Sequence, residues 1–184
     1  MHVKRIHLGI ILSGLFSSLL QGCANVLVET PIGLEPSTIT ASEWNGTWFN
    51  PSGTLTVKVV DGNRGLIDIA SIETKDDGLK MESHRLVLKE AGKWTLASMK
   101  ADKDEGSGWL WGHIKKDDQQ IVFWLPKVDE FKKLVTDGRL PGRIRDKNVI
   151  LGKLTPAQSA LITSDEAASL YHWDEPMVLM KLGR

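Results

Sequence analysis

Cys23 is the only thiol in the chain. With no second cysteine it forms neither an intrachain disulfide nor a Cys-based metal or redox pair, so its sulfur is left as a lone nucleophile directly behind Gly22. The other residues able to do chemistry are dispersed. His84, His113 and His172 occur singly, Gly106-Ser107-Gly108 offers one serine inside a turn, and Asp174-Glu175 is an isolated acidic pair. The chain contains no G-x-S-x-G elbow, no H-E-x-x-H helix motif and no glycine-rich phosphate loop. These spacings predict no catalytic residues, no metal ligands and no cofactor, and leave a hydrolase with a composite active site as the enzymatic alternative.

Tryptophan is the unusual component, with seven residues against one tyrosine. Trp109 and Trp111 share a face of one predicted strand with His113, and Trp124 lies on the next strand. Such a group suits two roles: lining a ligand cavity or stacking on sugar rings, with His113 as a hydrogen-bonding partner, or filling a core. Charge narrows the partner classes. Twenty-three basic side chains balance twenty-three acidic ones, so no excess of basic surface points to nucleic acid.

The N-terminus is organised differently from the rest. Lys4 and Arg5 precede the apolar stretch Leu8 to Leu20, broken only by three serines. That order of polarity is the order of a secretory signal peptide, and the stretch is shorter than the roughly 20 apolar residues a membrane-spanning helix needs. Leu20-Gln21-Gly22-Cys23 resembles the lipobox of bacterial envelope lipoproteins. The resemblance implies removal of residues 1–22, with Cys23 as the first mature residue carrying acyl chains. Two or three chains hold a protein at a membrane stably where one does not. Ala24 in place of Asp implies, by the same resemblance, an anchor in the outer membrane facing the periplasm.

Residues 23–43 read as a lipidated tether, since Pro31, Gly33 and Pro36 interrupt a segment without sustained periodicity. A single β-rich domain is expected over 44–184. From Trp44 to Leu125, short alternating apolar runs are separated by turn clusters such as Asp61-Gly62-Asn63 and Lys116-Asp117-Asp118, which predicts consecutive antiparallel hairpins. Val128, Phe131, Leu134 and Val135 recur at helical spacing before Gly138. Thr155-Pro156-Ala157-Gln158 is a capping box, and Ser164-Asp165-Glu166 begins a further short helix. Pro176 to Leu182 is expected to be a closing strand, with Pro176 at its first position.

So many short strands demand closure or cover, so the fold class is mainly β (α+β): an antiparallel barrel or strongly curved sheet with two or three short helices in the C-terminal half. Gly46-Thr47-Trp48 resembles the G-x-W start of lipocalins, which implies that Gly46 and Trp48 belong to the barrel floor. Two functions follow. An anchored protein with a filled barrel would bind an envelope protein or peptidoglycan with its outer face, whereas a lipocalin-like carrier would hold a small apolar or amphipathic ligand inside. A cavity of a few hundred Å³ separates the second from the first.

Overall fold

In the computed structural model, which describes residues 24–51, 53–75, 78–101 and 108–183, the predicted hairpins form one continuous antiparallel path. The apolar stretch near the N-terminus, Cys23 and Gly106-Ser107 lie outside the described residues. The strands are β1 (Val26–Val28), β2 (Glu35–Pro36), β3 (Gly46–Asn50), β4 (Gly53–Asp61), β5 (Leu66–Lys75), β6 (Gly78–Ala91), β7 (Trp94–Lys100), β8 (Trp109–Lys116), β9 (Gln120–Trp124), β10 (Gly142–Arg145), β11 (Asn148–Leu151) and β12 (Met177–Leu182). The helices are α1 (Ala41–Trp44), α2 (Val128–Thr136) and α3 (Pro156–Thr163), with 3-10 turns at Gly62–Arg64 and Asp165–Leu170. Among the described residues no helix is long and apolar enough to cross a membrane.

Strands β3 to β9 and β12 close into an eight-stranded antiparallel barrel, because β12 pairs with both β3 and β9 while β9 returns to β8. Closure removes most free edges. Strand β8 is the fork of the fold. One of its edges is occupied by β7, while the other is shared: Trp109 and Leu110 pair with β1, and His113 to Lys116 pair with β9. Gly112 stands at the fork because nothing larger fits, since a Cβ there would lie 2.5 Å from the Trp124 carbonyl oxygen and 2.7 Å from the Phe123 ring.

Beyond the fork the sheet continues outside the barrel. β1 pairs in parallel with β11, and β11 forms a hairpin with β10. This corrects the reading of residues 23–43 as a tether. Val26, Leu27 and Val28 are 3%, 0% and 2% exposed, and Ile32 and Ile39 are also buried. The segment that follows is bonded to the barrel backbone, with Leu34 donating to the Glu90 carbonyl and Ser37 to the Leu88 carbonyl at 2.8 and 3.0 Å. A strand inserted between two others and covered on both faces is uniformly apolar, and three residues of it carry no period to read.

Alternation along the strands divides the interior into two cores. On β7 and β8, Ala97 and Ile114 face into the barrel, where they join Trp44, Trp48, Leu55, Val57 and Ile67. Trp94, Leu96 and Trp111 face outward and pack with Val26, Phe131, Leu151, Ile162 and Tyr171 in a second core beneath the C-terminal half. Helix α2 buries Phe131 and Leu134 and sets Lys132 and Lys133 beside Asp129 and Glu130 on its other face. The capping box of α3 is present, with Gln158 donating its backbone N–H to Thr155 Oγ1 at 3.2 Å and accepting from the Thr155 N–H at 3.0 Å.

Candidate functional site

Because side chains alternate along β8, Trp109, Trp111 and His113 all stand on the outer face of the barrel wall. They enter the second core rather than the barrel lumen, although Trp111 also borders the internal cavity. His113 is the centre of an aromatic group. Its ring stacks on Trp124 at 5.1 Å with 28° between planes, and Trp94 and Trp173 lie 4.9 and 5.3 Å away. Tyr171 touches Trp94, Trp111 and Trp173 with centroid separations of 5.3, 6.0 and 5.6 Å. Trp109 is partly buried against the same core, without a ring contact among the described residues.

Two members are locked by hydrogen bonds. Tyr171 donates its hydroxyl to the Ile162 carbonyl at 2.6 Å, and its burial pushes the phenol well above its ordinary pKa. Trp173 donates its indole N–H to the Ala168 carbonyl. Three other polar atoms, Ser98 Oγ, Trp111 Nε1 and His113 Nδ1, are buried with no hydrogen-bond partner among the described residues. Ser98 and Trp111 are cross-strand neighbours. Trp94, Trp173 and Tyr171 were not singled out by the sequence reading. Trp94 carried a local signal, because it shares a face of its predicted strand with Leu96, and the structure pairs Leu96 with His113. The other two come from a distant turn whose docking no local pattern reports.

Burial lowers the His113 pKa from 6.5 to about 4, with Lys115 adding electrostatic repulsion. The folded protein therefore holds His113 neutral at pH values where the unfolded chain protonates it. The contribution to stability is full above pH 6.5 and is lost progressively as pH falls toward 4. The melting temperature is expected to drop across that interval, and His113→Phe should flatten this part of the profile. An unchanged slope in the variant would assign the acid sensitivity to other groups.

Two concave regions adjoin this wall. The barrel lumen keeps a cavity of about 100 Å³, bordered by apolar residues including Ile69, Met99, Ile121, Phe123 and Leu179. Trp48 fills part of the interior beside α1, donating its indole N–H to the Trp44 carbonyl at 3.2 Å while the Lys181 ammonium sits 5.4 Å over its ring. Gly46, at φ +148°, begins that strand with Lys181 Cε 3.3 Å from where a Cβ would project. Beside α1, where the inward-facing Ile39, Trp44 and Ile114 meet the outward-facing Trp94 and His113 at the rim of the barrel, is a larger groove of about 470 Å³. Its apolar surface comes from Ile39, Trp44, Trp94 and Ile114, and its polar surface includes Thr38, Thr95 and His113. Three lysines, 93, 115 and 116, border it with one carboxylate, Glu43, so its local charge is positive. Lys116 is held 5.8 Å from the Trp44 ring centre and donates to the Asp117 carbonyl at 3.0 Å.

The dispersed candidates for catalysis stay apart. His84 pairs in register with Ile69, on the inner face of the wall, whereas His113 is on the outer face. His172 faces Glu175 at 3.6 Å, and both Asp174 and Glu175 are exposed. Among the described residues no group of three or more His, Cys, Asp or Glu side chains is placed to hold a metal ion. Comparison of the chain with models of known families, with curated proteins and with solved structures gave no match.

Proposed function

We propose that this protein is an envelope lipoprotein, anchored through Cys23, whose barrel is a filled scaffold and whose groove beside α1 receives a saccharide of the cell wall. The observation that carries the reading is the contrast between the two concave regions. Ligand sites commonly span about 300 to 1,000 Å³. The groove, at about 470 Å³, lies in that range, whereas the lumen at about 100 Å³ does not. Mixed lining also suits a sugar, which presents apolar ring faces and a rim of hydroxyls: Trp44 and Trp94 supply fixed apolar surface, and Thr38, Thr95 and the lysines supply hydrogen bonds.

The test is calorimetric titration of the protein with soluble peptidoglycan fragments. Binding is expected for the wild type, with several-fold weakening in Lys115→Gln, an exposed position whose change leaves both cores intact. No heat of binding, or binding indifferent to Lys115→Gln and to a companion Thr95→Val change, would remove the groove from the function. The carrier reading rests on a separate observation, the wholly apolar border of the lumen. A dry apolar cavity of similar size can admit a molecule as small as benzene. Uptake of a larger apolar probe into the barrel would favour carriage.

A further inference from the structure

The end of β1 is pinned to a hairpin more than a hundred residues away in the sequence. Asn25 donates its backbone N–H to the Asn148 side-chain oxygen at 2.8 Å, and its carbonyl accepts from the Val149 N–H at 2.9 Å. Cys23 is only two residues upstream. Two extended residues reach at most about 7 Å, so an anchor at Cys23 would lie close to Asn25 and to the base of the β10–β11 turn.

That turn is basic and fully presented to solvent. Residues 142–147 are all exposed, and they include Arg143, Arg145 and Lys147 with Asp146 as the one carboxylate. Arg143 and Arg145 occupy one face of β10 and form no ion pair among the described residues. Ile144, between them, is 46% exposed. We propose that the β10–β11 hairpin is a second, electrostatic membrane contact, in which Arg143 and Arg145 meet the phosphates of anionic phospholipids beside the lipidated cysteine and fix the orientation of the barrel. The proposal rests on the anchoring reading for its biological setting, while its chemistry is testable without it. Charge on β10 has another use, since arginine on a free sheet edge opposes edge-to-edge association. That use requires no lipid selectivity.

The lone thiol makes the experiment direct. Residues 23–184, purified without lipid, are alkylated at Cys23 with one sixteen-carbon chain, because a single chain gives marginal, reversible binding on which an added contribution is visible. Partitioning is measured on vesicles of phosphatidylcholine and on phosphatidylcholine mixed with phosphatidylglycerol. Each basic side chain near an anionic surface contributes about 1 kcal/mol, so Arg143→Gln/Arg145→Gln should weaken binding to the anionic vesicles about 30-fold and leave binding to the neutral ones unchanged. Raising the salt should narrow the difference between the two lipids. Equal partitioning of wild type on both vesicles, or an Arg-pair variant that binds anionic vesicles as the wild type does, overturns the proposal. An unaltered melting curve for the variant excludes unfolding as the cause. Palmitate labelling of wild type against Cys23→Ser in cells is read separately, so failure of the anchor and failure of the hairpin contact give different results.

Discussion

A chain that starts at Ser42 is expected not to fold cooperatively, although every long alternating segment lies beyond that point. Truncation removes β1, and with it three side chains that are at most 3% exposed. Full burial of a Val or Leu is worth about 1.5 to 3 kcal/mol, so the loss is roughly 5 to 9 kcal/mol, comparable with the whole stability of an ordinary domain. The damage extends past the removed atoms. Without β1, strand β11 loses its parallel partner, the first residues of β8 lose theirs, and Val149 and Leu151 lose the side chains they pack against. Circular dichroism during heating should show no sharp transition. In the full chain, Leu27→Ala is expected to cost about 2 to 5 kcal/mol by denaturant titration. A sharp native-like melt from the truncated chain would mean that the barrel is independent of its outer extension.

Trp48→Ala and Trp111→Ala should each destabilise the protein by about 3 to 5 kcal/mol, as deletion of a fully buried large aromatic does. Their exposures are 0% and 1%, yet they fill different spaces, one inside the barrel and one between the wall and α2. Trp109→Ala should cost less, because Trp109 is only partly buried at the edge of the second core. Urea titration of the three variants gives the order directly. A nearly neutral Trp111→Ala would show that the C-terminal cover is loosely docked. A nearly neutral Trp48→Ala would contradict the filling of the lumen on which the proposed function depends.

Local pattern was sufficient wherever one element carried its own period or cap. The alternation from Trp44 to Leu125, the apolar spacing of Val128, Phe131 and Leu134 and the Thr155-Gln158 pair each specify an element without reference to distant residues, and the consecutive antiparallel hairpins and short helices follow from them, whereas closure depends on β12 lying between β3 and β9. The same pattern placed Trp109, Trp111 and His113 on one face of a strand. Which side of the wall that face occupies was beyond it, because both sides of this barrel are covered with apolar side chains over β7 and β8, and alternation distinguishes two faces only when one of them is wet.

Tertiary structure alone decided the rest. Val26–Val28 is too short for a period, and it becomes a strand only because β8 has half an edge unoccupied by β9 and β11 is free to lie alongside. Ser37, Thr38 and Ile39 border the groove only because their backbone is bonded along the barrel, Ser37 donating to the Leu88 carbonyl and Ile39 to the Gly62 carbonyl. The sequence after Cys23 has no basic cluster, whereas the fold sets the hairpin that carries Arg143, Arg145 and Lys147 against Asn25. Periodicity reports what an element does with its own two faces. Strand pairing between distant segments is settled by which edges remain open and which apolar surfaces remain uncovered once the local elements have formed, and those quantities exist only in three dimensions.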